Sequence, residues 1–369
     1  MTLLTRQNLL SEKVGFLISV AGIALSVFLI AFLLSLYRGW DEGVGRFVER
    51  VDADVWVARE GTSDFLNAAS ILPTDMGRDL GRVDGVSEAF PVIVRPMNVT
   101  ADGKEIGAQL VGYDPESGVG GPHKHESGAE TPGQDEVIID TAFGKQNGVG
   151  IGDSIEAAGR SLEIVGESSG GDFVFTQTMF VSLETARDML GMDDWNTFYL
   201  LQLDGGAGAD AVIASIEQDF EATGAFESDE FAEATRNRIM KSVIPILIVV
   251  LALAFVVGVA ITGLTIYNST VEKAREYGIL KAIGFTNRYL FRLVMEQSVV
   301  TCMLGFVLGA GGTILATRFV SDFVPQFVTL LRWQDLLMVL GTTLIMSVIA
   351  AVLPVRRIAN VDPVSVFSG

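Results

Sequence analysis

Four stretches of this chain run for 20 to 26 residues without a formal charge: Val14–Tyr37, Ser242–Tyr267, Gln297–Thr317 and Leu336–Val355. A helix needs about 20 apolar residues to cross a ~30 Å hydrocarbon layer, so each run is long enough to be a membrane span. The first exceeds the core of a signal peptide and no A-x-A-like cleavage site follows it, so it reads as an uncleaved anchor. The chain has 369 residues, which leaves a long stretch between the first and second runs for a domain outside the bilayer.

Charge is distributed unevenly between these parts. Arg38 to Lys241 holds 38 acidic and 15 basic residues, whereas the whole chain carries a net −19, so the hydrophobic frame is slightly basic. The acid excess argues against nucleic acid as a partner. Basic residues in short flanks set orientation. The connector Tyr267–Arg292 has Lys273, Arg275, Lys281, Arg288 and Arg292 against Glu272 and Glu276. Arg6 and Lys13 lie in the head, Arg356 and Arg357 in the tail. Head, connector and tail are therefore expected in the cytoplasm, and the acidic block outside a cell membrane. Its acidity suits a hydrated surface, and high salt would screen the self-repulsion.

The expected organisation is an α-helical membrane protein of four spans, with a large extracytoplasmic α+β domain between the first two. Residues 1–40 are head and first span, 41–238 the outer domain, and 239–267 the end of a stalk and the second span. Then come the connector 268–292, the third span 293–318, an outer loop 319–335, the fourth span 336–355 and the tail 356–369. Within the outer domain, 53–59, 90–100 and 105–113 are rich in Val and Ile and read as strands. Ser182–Gly191 has a Ser N-cap and a Gly stop, and Gly208–Phe220 places Val212, Ile213, Ile216 and Phe220 on one side, so both read as helices. Gly148–Glu167 reads as two short strands around glycine turns. Gly118–Gln134 reads as a loop, or as the start of a second lobe at about 118–197. Glu230–Ser242 is expected to be a helical stalk running into the second span.

Sites for chemistry are sparse. No G-x-x-x-x-G-K-[ST] is present, so no nucleotide cofactor is expected on this chain. His123 and His125 are the only histidines, and Glu126 and Glu130 supplement them weakly as ligands, so an exposed loop is expected there instead of a metal site. Asp52 and Asp54 have no partner constellation. Cys302 is the sole cysteine and reads as packing. With neither a nucleophile–base pair nor a metal cluster, the chain is expected not to be an enzyme. Glu296 lies just inside the third span; pairing with Arg292 at i,i+4 or snorkelling is expected of it. Gly22-x-x-x-Ser26 and Gly305-x-x-x-Gly309 permit close helix approach, either within the chain or at a dimer seam.

The connector has internal order. Val271, Ala274, Ile279, Leu280 and Ile283 recur at roughly helical spacing, and Glu272–Arg275 and Lys273–Glu276 can pair at i,i+3. Gly284 suits a helix stop and Thr286 a cap for the next helix. Spacing alone leaves two readings open: an amphipathic helix lying on lipid, or a contact helix for a cytoplasmic protein.

"REYGILKAIGFTNRYL" (Arg275–Leu290) closely resembles the coupling segment of MacB/FtsX-type ABC transporter permeases, a family that includes LolC/LolE-like members. "LPVRRIANVDPVSVF" (Leu353–Phe367) resembles the family's closing motif, with a departure at Asn360. Glu296 before the glycines of "GFVLGAGG" (Gly305–Gly312) is similar to the family pattern too. "LVGYDPESG", "EVIIDTAFGKQNGVGIGDSI" and "FVSLETARDML" resemble its outer segments more loosely. The short outer link Arg318–Asp335 matches the four-helix members.

The resemblance implies a permease whose connector docks on a separate ATPase subunit, which would hold the ATP and Mg. It assigns that docking to Glu272, Arg275, Glu276, Gly278, Lys281 and Gly284. It implies a second permease copy or paralogue beside this one in a dimer, and motion passed through the second helix to the outer domain, termed mechanotransmission. A transport role and a regulatory one, controlling an outside partner such as a wall-processing enzyme, both remain open, and an extracytoplasmic adaptor or an outer hydrolase as partner would separate them. A membrane-anchored receptor without an ATPase is the third class.

Overall fold

The computed structural model describes residues 13–62, 64–65, 70–170, 177–272, 274–323 and 329–359. Two compact units emerge: Gly39–Val243, and a helical unit made of the chain up to Arg38, from Ile244 to Val320 and from Thr329 onward.

Alternation along the strands explains the first unit. In β1 (Val55–Arg59), Val55 and Val57 enter one apolar cluster while Trp56 and Ala58 enter another. A strand buried on both faces needs cover on both. The same split recurs in β3 (Val86–Ala101), where Phe90, Val92 and Val94 face one cluster and Ile93, Val99 and Ala101 another. β2 (Leu72–Pro73) lies outside the main sheet and pairs with β10 (Trp195–Asn196). The remaining strands are β4 (Lys104–Tyr113), β5 (Lys124–Gly128), β6 (Glu136–Asp140), β7 (Ser154–Ala157), β8 (Arg160–Ser169), β9 (Gln177–Ser182), β11 (Phe198–Leu203) and β12 (Thr223–Glu227). They form one ten-stranded sheet in the order β12-β1-β11-β3-β4-β9-β6-β8-β5, with β7 bridging β3 and β8. Pairing is antiparallel except for β4–β9 and β6–β8.

Helices cover both faces. α1 (Lys13–Gly43) precedes α2 (Arg46–Arg50), whose Phe47 and Val48 join Phe231 and Ala232 on one face. On the other, α3 (Met76–Leu80) and α6 (Ala209–Asp219) cover one half of the sheet through Leu80, Val212 and Ile216. α4 (Thr141–Asn147) and α5 (Leu183–Leu190) cover the other half through Phe143, Leu183, Ala186 and Met189. Local signals place these helices: Ser182 accepts from the Thr185 amide at 3.2 Å, and Asp140 accepts from the Ala142 amide at 2.8 Å.

The strands of 118–197 continue the sheet begun by β1 and β3, so hydrogen bonding passes unbroken through both halves of the unit. The stretch Gly118–Gln134 is not loop throughout, for it contains β5. Its composition carries no apolar alternation. The strand forms because β8 offers an open edge, to which Lys124, His125, Ser127 and Gly128 pair.

The helical unit contains four helices long and apolar enough to cross a membrane among the described residues. They belong to α1, α7 (Ser228–Glu272), α9 (Asn287–Phe323) and α10 (Trp333–Ala359), with α8 (Ala274–Ala282) short between the second and third. Each helix runs past its uncharged stretch, and α9 extends into what reads as an outer loop.

Small residues set the bundle spacing. A Cβ on Gly305 would lie 2.5 Å from Ile23 Cγ2, and one on Gly309 2.5 Å from the Ala24 carbonyl oxygen, so α9 and α1 approach backbone to backbone. Gly22 is filled by Ile261 of α7, and Gly258 by Met346 of α10 and Ser26 of α1. Ser26 itself donates back to the Gly22 carbonyl at 3.1 Å. Both small-residue pairs thus serve packing within the chain. Ser298 and Ser347 meet at 2.8 Å between α9 and α10, beside buried Cys302. Arg38 and Asp335 pair at 3.4 Å, with Asp335 1% exposed, where α1 ends and α10 begins.

The start of α7 is held by ring contacts. Phe231 lies 5.6 Å from Trp56, 6.0 Å from Phe198 and 5.2 Å from Phe226, centroid to centroid. Removing a buried Phe side chain costs about 3–5 kcal/mol. Phe231→Ala is therefore expected to destabilise the Gly39–Val243 unit by about that amount in thermal or denaturant unfolding of the full chain in detergent. A loss under ~1 kcal/mol would show that the rings do not hold the helix. The acid excess leads to a second expectation: the unfolding midpoint of that unit rises as salt is raised from low to molar concentration, and a flat response would refute self-repulsion as a destabilising force.

Candidate functional site

The connector between α7 and α9 exposes both charged and apolar side chains. α8 ends in a Schellman arrangement. The Phe285 amide donates to the Leu280 carbonyl at 3.0 Å and the Gly284 amide to the Lys281 carbonyl at 3.0 Å. Gly284 takes φ +105°, a conformation that costs a residue with a Cβ about 1–2 kcal/mol, so glycine is required there. Phe285 then packs against Tyr289 with the rings tilted by 39° and centroids 4.8 Å apart, which helps fix the direction of the turn into α9. The Thr286 carbonyl accepts from the Tyr289 amide at 2.9 Å, so Thr286 does stand at the cap position of α9.

One side of α8 is tied down. Leu280 packs on the cluster of Ile266, Leu290, Leu293, Val294 and Ala351, and Gly278 is buried. The other side is not. Glu272, Arg275 and Glu276 are exposed, Ile279 is 40% and Ile283 70% exposed, and Val271 is exposed as well. The apolar positions expected to form one stripe are thus divided. Among the described side chains of that set Leu280 alone turns inward, because Ile279 sits ~100° away from it around a helix and Ile283 lies beyond the last turn; the side chain of Ala274 lies outside them. Among the described residues no ion pair joins Glu272 to Arg275; Lys273 lies outside them. The result is a surface of exposed isoleucines ringed by charges of both signs on a helix with a fixed end.

Glu296 lies one helix further on and pairs with Arg292 at 3.2 Å, with Glu296 23% exposed. It is a neutralised carboxylate near the start of α9, not an isolated charge in an apolar span. Head residue Arg6 and the tail beyond Ala359, including Asn360, lie outside the described residues.

In the other unit the histidines are separated by function of the strand. His123 is exposed, whereas His125 is half-buried on β5. Glu126 is held below the usual carboxylate range by a hydrogen bond from Lys124 and another from Ser169, which occupy its oxygen. Among the described residues no three His, Cys, Asp or Glu side chains are grouped to hold a metal. Asp54 accepts from the Leu203 amide at 2.8 Å and Asp52 from Gln202 at 3.1 Å, so both cap strand ends. An acid-lined cleft of about 530 Å³ lies beside them, bordered by Glu49, Asp54, Asp204, Glu227 and Asp229.

Sequence reading missed Pro245, which lies inside α7, and the glycines 258 and 263 on the same helix, where a Cβ on Gly263 would lie 3.5 Å from the Ala350 carbonyl oxygen. All three were visible as residue types. Only the packing shows which helix each one meets.

Known proteins resemble this chain over most of its length. It matches the MacB-like periplasmic core domain over residues 16–219 and the FtsX-like permease C-terminal family over residues 248–363. It is 24% identical over 364 residues to an ABC transporter permease of Mycobacterium tuberculosis, covering 97% of each. The macrolide export ATP-binding/permease protein MacB of Campylobacter jejuni is 27% identical over 144 residues, covering 39% of this chain and 22% of that protein. Among solved structures, the periplasmic region of MacB from Actinobacillus actinomycetemcomitans is similar at 12% identity, covering 52% of this chain and 96% of that one with a TM-score of 0.40. Since the first family alone takes in more than half of the residues and the second most of the remainder, the chain belongs to the MacB/FtsX-type ABC transporter permeases.

Proposed function

We propose that this permease couples ATP hydrolysis by a separate cytoplasmic ATPase subunit to movement of its Gly39–Val243 unit outside the membrane, and so to export or release of a substrate there. The connector, head and tail face the cytoplasm in this reading, and a second permease, identical or paralogous, completes the assembly. ATP and Mg belong to the ATPase.

The observation that carries the proposal is α7. Its first turns are bound into the core of one unit through Phe231, Ala232 and Thr235, and Arg236 adds a 2.7 Å ion pair to Glu49. Its later turns pack on α1 and α10 through Gly258, Ile261 and Gly263. It is followed at once by α8 with its exposed surface. A single helix of 45 residues thus joins the anchored end to the docking end, and a push on α8 has a continuous element to travel along.

That element has one soft point. Pro245 donates no hydrogen bond to the Lys241 carbonyl, and no residue of α7 is buried between Met240 and Ala254. Bending there costs least, so displacement from α8 would emerge as tilting of the segment before Pro245.

Two experiments test the reading. Glu276 is exposed, so Glu276→Lys is expected to leave the fold intact while abolishing co-purification of an ATPase subunit with the full chain in mild detergent. Wild-type recovery with this variant would sink the docking assignment, and recovery of no ATPase with the wild type would favour a receptor with a lipid-anchored connector. For the joint, spin labels at positions 237 and 253, about 24 Å apart along a straight helix, would be placed in a Cys302→Ala background. The distance distribution is expected to narrow in Pro245→Ala, and an unchanged width would remove Pro245 as the bending point.

A further inference from the structure

Two of the nine asparagines in the chain stand in the pattern N-x-[ST]: Asn98-Val99-Thr100 and Asn268-Ser269-Thr270. They differ in placement. Asn98 lies on β3 in the outer unit, and Asn268 lies in the last turns of α7, beyond its apolar stretch. One membrane crossing separates them.

The surroundings of Asn98 are those of an acceptor. Strand periodicity puts Pro96, Asn98 and Thr100 on one face of β3 and Met97, Val99 and Ala101 on the other. The second face is closed by the cluster holding Val99 and Ala101. The first is open at this end of the strand, with Pro96 and Asn98 exposed and Thr100 half-buried. Directly across the ladder from Asn98 is Gly107, and a Cβ built there meets nothing within 4 Å. The cross-strand neighbour that would crowd a substituent on Asn98 is therefore missing. Among the described residues neither the Asn98 carboxamide nor the Thr100 hydroxyl makes a side-chain hydrogen bond, so both are free to engage an enzyme. Val99 between them is 1% exposed and keeps the two polar side chains in register on the open face.

We propose that Asn98 is the attachment point of an N-linked glycan, transferred outside the membrane from a lipid-linked oligosaccharide by a membrane oligosaccharyltransferase, and that Asn268 is not. The inference rests on the outward placement of the Gly39–Val243 unit. In the transfer, Asn98 Nδ2 forms a bond to the anomeric carbon of the first sugar as the bond from that carbon to the lipid phosphate oxygen breaks. The lipid phosphate leaves with the electron pair, the amide proton passes to the enzyme's base, and nothing is oxidised or reduced. Thr100 supplies the hydroxyl by which the enzyme recognises the acceptor, and serine can replace it in that role.

The test is intact-mass and glycopeptide mass spectrometry of the full chain purified from its own membranes. Wild type, Asn268→Gln and Thr100→Ser are expected to exceed the polypeptide mass by a series of sugar masses, with the addition on the peptide containing Asn98. Asn98→Gln and Thr100→Ala are expected at the bare polypeptide mass. An unmodified wild-type chain, or an addition that persists in Asn98→Gln, overturns the proposal. An Asn98→Cys variant in the Cys302→Ala background, challenged on whole cells with a membrane-impermeant maleimide, separates the two ways of failing. Labelling of that cysteine beside an unmodified wild type overturns glycosylation alone. Absence of labelling, or a glycan on Asn268, overturns the outward placement with it.

Discussion

The burial of Phe231 among Trp56, Phe198 and Phe226 is the contact on which the remainder depends. It makes the first turns of α7 part of the sheet's own core, where each aromatic pair adds about 0.5–1.5 kcal/mol beyond the area it buries. The neighbouring ion pair of Arg236 and Glu49 is partly exposed, with side chains 29% and 39% accessible, and an exposed pair is worth at most about 1 kcal/mol. Apolar burial therefore decides where the helix begins, and the charges refine its rotation.

Inside the membrane unit the force is different, because lipid is as apolar as the helix faces. Association there relies on close contact and on hydrogen bonds that have no water to compete with them. Gly305 and Gly309 bring α9 onto α1, Gly258 and Gly263 bring α7 onto α10, and Ser298 meets Ser347 between α9 and α10. Each helix thus has a tight seam with a neighbour on either side. Glu296 is neutralised by Arg292, and the buried Asp335 by Arg38, so neither pair leaves an unmatched carboxylate among apolar side chains.

Much of this was legible in the residues. The four spans follow from length and absence of charge, and α5 from its Ser182 cap and Gly191 stop. The helix stop at Gly284 and the Arg292–Glu296 pair follow from spacing. These are local properties, fixed by residues three or four positions apart. β5 was not legible, since Lys124–Gly128 has no apolar alternation and becomes a strand only because β8 lies beside it. The connector was half legible. Its helix and its end were, but not the division of its apolar residues between Leu280, which packs inward, and Ile279 and Ile283, which stay exposed. That division depends on where Leu290 and Leu293 of another helix stand.

The sequence by itself determined that the chain crosses a membrane four times, carries a large acidic domain after its first span, and has a basic, ordered connector after its second. Hydrophobic length, net charge and helix caps are additive or short-range, so they can be read along a line. Only the tertiary structure decided that Gly22, Gly305 and Gly309 serve packing within the chain, that α7 is bound at its start and bare around Pro245, and that Asn98 faces an open strand opposite a glycine. Those properties belong to pairs of residues far apart in sequence, and which pairs meet is settled only when the whole core closes.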